Sequence, residues 1–148
     1  MDKNFNPDKQ HTLVKAVSIS GTGLHSGIEV DMTLKPANPG FGYQFQRTDL
    51  PGAPVIKADC DLVTDTARGT TLVKGDCKVS TVEHILAALV GMGVDNCLIE
   101  LNGPEIPIID GSSGPFVDII SKTGVLEQDA AKVWYTIDTN ISYFDDVK

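Results

Sequence analysis

The sequence predicts an α+β fold, a two-layer sandwich in which a mainly antiparallel sheet carries two helices on one face. Two observations support this prediction. Several short segments alternate apolar and polar residues and are separated by turns rich in Gly and Pro, which is typical of antiparallel strands. Two other segments, residues 80–93 and 115–123, space their apolar residues as helices do.

The strand predictions follow this alternation in order along the chain. The clearest is IEVDMTL at 28–34, which places Ile, Val, Met and Leu on one face and Glu, Asp and Thr on the other. The other predicted strands are residues 12–20, residues 43–48, two strands within 61–79, residues 97–101 and residues 105–109. We expect a Gly-rich turn at 21–27 and a Pro-rich connection at 49–60.

A hairpin is expected at Asn102-Gly103, which is a strong signal for a two-residue turn. It would join the strand at 97–101 to the returning strand at 105–109. In that arrangement Glu105 is a solvated side chain on the hairpin.

The best helix is STVEHILAALVGMG at 80–93. Ser80 followed by Glu83 predicts a capping box, with Ser80 at the N-cap and Glu83 at N3. At about 100° per residue, Val82, Ile85, Leu86, Leu89, Val90 and Met92 form one broad apolar stripe. The opposite face holds Glu83, His84, Ala87, Ala88 and Gly91. A face of small residues, where a solvated helix carries long charged ones, suggests that something approaches it closely.

Glu83 and His84 allow two interpretations. A neutral imidazole is a good zinc ligand, and a nearby carboxylate can deprotonate a metal-bound water. A catalytic zinc needs about three protein ligands, however, and this helix supplies one. The alternative is a capping carboxylate beside a buried, hydrogen-bonded histidine. The helix geometry alone leaves both open.

Composition excludes several classes of function. Twenty acidic residues against 12 basic ones give a net charge of −8, which argues against a nucleic-acid partner. No apolar run approaches the roughly 18 residues of a transmembrane segment, and no signal peptide is evident. The three cysteines, Cys60, Cys77 and Cys97, show no metal-ligand spacing and are interpreted as reduced, small apolar fillers in a cytoplasmic protein.

The chain divides into three parts. Residues 1–11 are expected to be a flexible tail with His11 solvated, and residues 12–126 to form one domain. Residues 127–132 are polar, and residues 133–144 alternate again without visible strand partners. We therefore expect 127–148 to be a linker and the first strands of a truncated second domain. The alternative is that these strands complete the first sheet.

Four sequence words together are specific: GTGLHSG at 21–27, RTDL at 47–50, STVEHILAAL at 80–89 and DNCLIELNGPEIPIIDGSSGPF at 95–116. They closely resemble the N-terminal half of the zinc-dependent UDP-3-O-acyl-N-acetylglucosamine deacetylases of lipid A biosynthesis. The resemblance runs from about Thr12 to the end of the chain. It implies two similar α+β domains with an active site between them, so residues 12–126 would be the N-terminal deacetylase domain.

The resemblance also implies an activity and site residues. The family hydrolyses the N-acetyl group of UDP-3-O-(3-hydroxyacyl)-N-acetylglucosamine in Gram-negative bacteria. By motif match, Glu83 is the general base and His84 the first zinc ligand, while Leu24 and His25 lie in a substrate-binding loop. The family's other zinc ligands, a His and an Asp late in its second domain, have no counterpart in this sequence.

Two hypotheses follow. In the first, the chain is part of a zinc-dependent deacetylase, needs the missing C-terminal domain to bind zinc and the acylated UDP-sugar, and is inactive alone. In the second, it is a non-catalytic α+β binding or structural domain in which Glu83 is only a helix cap.

Overall fold

The structure, a computed structural model, describes residues 6–144. This part of the chain forms ten strands, two α-helices and one short 3-10 turn at Cys60–Leu62. The strands are β1 (Lys9–Leu13), β2 (Val17–Thr22), β3 (Glu29–Pro36), β4 (Tyr43–Arg47), β5 (Val55–Lys57), β6 (Val63–Asp65), β7 (Thr71–Lys74), β8 (Cys77–Val79), β9 (Cys97–Leu101) and β10 (Val125–Ala131). The helices are α1 (Glu83–Gly91) and α2 (Gly114–Thr123).

The strands form one main sheet and two small ones. The main sheet has the order β2-β3-β9-β4-β5, and all its pairs are antiparallel except β4 with β9. Strands β6, β7 and β8 form an antiparallel meander, and β1 pairs antiparallel with β10. The sheets are therefore mainly antiparallel, as predicted.

One face of the main sheet is apolar and the other polar. Along β3, Val30, Met32 and Leu34 are fully buried, whereas Asp31 is exposed and Thr33 only half-buried. This alternation is the one predicted from the sequence, except that Ile28 lies before the strand and is exposed. It turns one side of the sheet toward the core.

Both helices pack into that same core. Ile85 and Leu89 of α1 and Phe116 and Ile120 of α2 are fully buried in one cluster with the inward residues of the sheet. The predicted two-layer α+β fold, with both helices on one face, is confirmed. Neither helix among the residues described is long and apolar enough to cross a bilayer.

Four strand predictions are wrong. Residues 61–79 contain three strands, β6, β7 and β8, where two were predicted. The predicted strand at 12–20 is two strands, because β1 pairs with β10 whereas β2 pairs with β3. The connection at 49–60 contains β5. Residues 105–109 form no returning strand. Pro104 and Pro107 lack the N–H groups that a ladder needs, and the backbone N–H groups of Ile106 and Ile108 donate to Ser80 and Thr22 instead.

The terminal segments also differ from expectation. Residues 9–11 of the predicted tail belong to β1, and His11 is 2% exposed. Residues 127–131 of the predicted linker belong to β10, which pairs with that strand. Residues 133–144 form no strand in the structure. Residues 1–5 and 145–148 of these predictions lie outside the described residues, and the division into two domains stays a prediction.

The cysteines are all free thiols. Cys77 and Cys97 are buried fillers as predicted, and burial raises the pKa of Cys97 to about 12. Cys60 is exposed, so its interpretation as a filler is wrong.

Asn96 is the buried residue that joins β10 to the rest of the domain. Its Oδ1 accepts the Gly42 backbone N–H at 2.9 Å. Its Nδ2 donates to the side-chain oxygens of Gln10 and Gln128 at 2.9 and 2.8 Å. We expect Asn96→Ala to lower the free energy of unfolding by about 1–3 kcal/mol, because it removes the acceptor of the Gly42 N–H and the donor to the Gln128 side-chain oxygen. Urea denaturation measures the change.

Asn38→Ala is the matched control. Asn38 is exposed, and we expect its replacement to change stability by less than about 0.5 kcal/mol. Equal effects of the two substitutions would contradict the role of Asn96.

Candidate active site

A cavity of about 390 Å³ opens between three loops. One is the turn between β2 and β3, another is the loop between β6 and β7, and the third consists of the two segments joined by a bridge between Ser80 and Glu105. The lining side chains include His25, Arg68, Lys78, Thr81 and Glu105. The cavity therefore combines basic, acidic and hydroxyl groups in one small volume.

Glu83 does not itself line this cavity but contacts the β6–β7 loop, which does. It is half-buried as the first residue of α1, and its Oε2 accepts the backbone N–H of Thr70 at 2.9 Å. A Cβ on the lining residue Gly69 would lie 3.2 Å from Glu83 Oε1, so the absence of a side chain there lets the loop approach the carboxylate. Glu83 is thus held by the β6–β7 loop.

The predicted capping box is wrong. The N-cap of α1 is Val82, which makes no side-chain cap bond. Ser80 is instead held in the bridge to Glu105: its backbone N–H donates to Pro104 and its carbonyl accepts from Ile106. Because Ser80 is fixed in this pairing, the helix begins later, and the Glu83 carboxylate is available to the loop instead of capping the helix.

His84 follows Glu83 and is half-buried. Its Nδ1 is buried and has no hydrogen-bond partner among residues 6–144. An imidazole without an internal hydrogen bond fits a metal ligand, since a ligand nitrogen must offer its lone pair. In the part of the chain described, the only three-residue cluster with metal-ligand spacing is the exposed group Asp59, Cys60 and Asp61. His84 is therefore a single candidate ligand.

The outward face of α1 carries small and apolar residues. Ala87 and Gly91 are exposed, as predicted. Ala88 is buried and Val90 is 65% exposed, so the predicted positions of these two are exchanged. The result is an exposed apolar strip that begins beside Glu83.

His25 and Leu24 lie in the turn between β2 and β3. Leu24 is 59% exposed. His25 Nε2 donates to the Arg68 carbonyl at 2.9 Å. The predicted residues His25 and Glu83 therefore contact the same loop, at Arg68 and Thr70 respectively.

Glu105 is the site residue that the sequence did not reveal. Predicted to be solvated, it is 2% exposed. Its carboxylate accepts the backbone N–H groups of His25 at 3.1 Å and Ser26 at 2.7 Å, and the hydroxyl of Thr81 at 2.9 Å. The only local signal was its position in the Pro-rich word GPEIP.

The charge of Glu105 is stabilised despite its burial. Burial alone would raise the pKa of this carboxyl, but the hydrogen bonds from Ser26, His25 and Thr81 outweigh burial and hold the pKa below its usual value of 4.5.

A lowered pKa predicts a specific pH dependence of stability. The contribution of Glu105 is fully present above pH 4.5, the unfolded-state value, and is lost as the pH falls through the lower pKa of the folded protein. We expect wild type to lose stability relative to Glu105→Gln below pH 4.5, because the amide does not titrate. Urea unfolding between pH 7 and 3 measures the difference.

The comparison with Glu105→Gln removes the effect of Asp49, Asp110 and Asp129, whose pKa values are also lowered by hydrogen bonds. A difference in the free energy of unfolding between wild type and Glu105→Gln that stays constant from pH 7 to pH 3 would contradict a lowered pKa of Glu105.

Several known proteins, all longer than this chain, are similar to it in sequence. A protein of Methylococcus capsulatus named UDP-3-O-acyl-N-acetylglucosamine deacetylase is 50% identical over 129 residues, which cover 87% of this chain and 42% of that protein. A protein of the same name from Myxococcus xanthus is 49% identical over 136 residues, covering 92% and 43%. A "Bifunctional enzyme LpxC/FabZ" of Bacteroides thetaiotaomicron is 50% identical over 138 residues, covering 93% and 30%.

The chain thus spans between 30% and 43% of the length of these three relatives. The family model described as UDP-3-O-acyl N-acetylglycosamine deacetylase matches residues 10–148, which is nearly the whole chain. This match confirms the resemblance drawn from the sequence words: the chain belongs to the UDP-3-O-acyl N-acetylglycosamine deacetylase family.

Proposed function

We propose that the full-length product of this gene is a zinc-dependent deacetylase of lipid A biosynthesis, acting in the cytoplasm of a Gram-negative bacterium. Its substrate is UDP-3-O-(3-hydroxyacyl)-N-acetylglucosamine, from which it releases acetate. The observation that carries the proposal is the carboxylate of Glu83, which accepts the Thr70 N–H of the β6–β7 loop beside the cavity and is adjacent in sequence to His84.

His84 would hold the metal through its imidazole, since the buried Nδ1 finds no acceptor or donor in residues 6–144. Bound there, a zinc ion supplies Lewis acidity, which polarises an amide carbonyl and lowers the pKa of water. The remaining ligands come from outside the described residues.

Glu83 acts as the general base. It takes a proton from the attacking water and later passes it to the leaving amine. The Thr70 N–H bonds to Oε2 of Glu83. The other carboxylate oxygen, Oε1, has no backbone donor, so it is the oxygen placed to exchange the proton. Glu83 is the first residue of α1, where the helix dipole stabilises the negative charge of its carboxylate.

Leu24 and His25 contact the substrate. The exposed Leu24 side chain suits an acyl chain, and His25 faces the cavity with its ring fixed by the Arg68 carbonyl. The exposed strip of Ala87, Val90 and Gly91 on α1 suits close packing against the family's C-terminal domain.

The proposal predicts the effect of neutralising the base. In the full-length protein, Glu83→Gln should lower kcat by about 10²–10⁴, the range of general-base contributions, with zinc content unchanged. Asp118→Asn, the same change on the exposed face of α2, should leave kcat unchanged. Acetate release from the acylated UDP-sugar gives kcat, and atomic absorption gives zinc. Full activity of Glu83→Gln would exclude Glu83 as the general base.

A second prediction separates the ligand from the base. His84→Ala in the full-length protein should lose zinc as well as activity, since removing one ligand weakens a site that needs all of them. Wild-type zinc content in this variant would exclude His84 as a ligand.

A third prediction concerns the 148-residue chain by itself. It should release no acetate and bind zinc weakly at this site, because His84 is the one candidate ligand that residues 6–144 bring there. The full-length protein serves as the positive control in the same assay, and turnover by the short chain would refute the proposed division of the site.

A further inference from the structure

Glu105 is a buried carboxylate that no step of the proposed reaction uses. Burying a charge is costly unless hydrogen bonds satisfy it. Its partners come from two other segments: His25 and Ser26 in the turn between β2 and β3, and Thr81 just before α1. The carboxylate therefore joins three segments that are distant in sequence.

The turn that carries His25 depends on this carboxylate. Glu105 accepts hydrogen bonds from the backbone N–H groups of His25 and Ser26. These two bonds therefore fix the path of the main chain in the turn and not merely one side-chain rotamer. Gly23 shows how closely the turn packs: it is buried, and a Cβ at this position would lie 2.5 Å from Glu105 Oε2. Only a residue without a side chain allows this approach. The His25 ring then donates to the Arg68 carbonyl across the cavity.

Thr81 is the second group near the cavity that Glu105 holds in place. Its φ is +59°, a left-handed conformation that a β-branched residue rarely adopts. The hydroxyl of this residue, which is 2% exposed, donates to Glu105 Oε1. Thr81 lies two residues before Glu83, so the same carboxylate holds a strained backbone that leads directly into the helix of the proposed base.

We propose that Glu105 is a positioning residue of the deacetylation reaction. It sets the place of His25 at the cavity by holding the backbone of the β2–β3 turn, and it acts on the reaction through His25 without touching the substrate. This inference rests on the proposed function.

A double-mutant cycle in the full-length protein tests the proposal. Glu105→Ala should lower kcat/KM by about 100-fold, the order of loss that follows a misplacement of about 1 Å. His25→Ala should likewise lower kcat/KM by about 100-fold in the wild-type background. In the Glu105→Ala background it should lower kcat/KM by less than about twofold, because Glu105 acts through His25 and the two effects are not additive. The same factor in both backgrounds would overturn the proposal.

Gly23→Ala provides a second route in case Glu105→Ala folds poorly. It keeps the carboxylate but pushes the turn away from it, and it should reproduce the loss of kcat/KM and the non-additivity with His25→Ala. Asn96→Ala is the control for general destabilisation. Asn96 bonds to Gly42, Gln10 and Gln128, none of which lines the cavity, and His25→Ala should keep its full effect in that background.

Amide hydrogen exchange on the same full-length variants gives a readout that needs no turnover. The His25 and Ser26 amides should be protected in wild type and exchange faster in Glu105→Ala, with the Ile99 amide of β9 unchanged. If wild type releases no acetate, the proposed function fails, and the exchange of these two amides still decides whether Glu105 holds the turn. Unchanged exchange in Glu105→Ala would overturn the inference.

Discussion

The carboxylate of Glu105 is the interaction on which the candidate site depends. It lies in the protein interior, yet it retains its charge because it accepts two backbone N–H groups and one hydroxyl. Hydrogen bonds to a buried charge are stronger than neutral ones, and losing them leaves several donors unsatisfied at once. Through Thr81 and His25, this one group reaches both sides of the cavity.

Around this group the β6–β7 loop connects the remaining site residues. Its Arg68 carbonyl accepts from the His25 ring, and its Thr70 N–H donates to Glu83. Gly69, which lies between Arg68 and Thr70, has no side chain and so allows the Glu83 carboxylate to approach the loop. A loop that bonds to both side chains through its backbone fixes their relative position, which is what the proposed roles of Glu83 as general base and His25 as substrate contact require.

The sequence predicted those features that local pattern encodes. Strand β3 was predicted because one face of the main sheet is solvated, which leaves a period of two in Val30, Met32 and Leu34. Helix α2 was predicted because Pro115 and Gly124 mark its ends. Strand β5 was missed because three residues among prolines carry no measurable period.

The burial of Glu105 could not be predicted because it depends on partners about 80 residues earlier in the chain. The same is true of His11, whose burial against the segment around Asp95 follows from the pairing of β1 with β10. For Glu83, the capping bond predicted from the sequence does not form: a capping box is a local rule, and the tertiary pairing of Ser80 overrides it. The roles proposed for Glu83 and His84 come from the resemblance of the sequence words to the family, since the helix geometry left two interpretations open.

The central claim is that Glu83 and His84 flank one zinc centre beside the β6–β7 loop that lines this cavity. A crystal structure of the full-length protein, with anomalous diffraction measured at the zinc edge, tests it most directly. The account predicts an anomalous peak about 2.0–2.1 Å from an imidazole nitrogen of His84, with the Glu83 carboxylate within hydrogen-bond reach of a ligand water. A zinc peak coordinated elsewhere, with His84 directed away from it, would contradict the account.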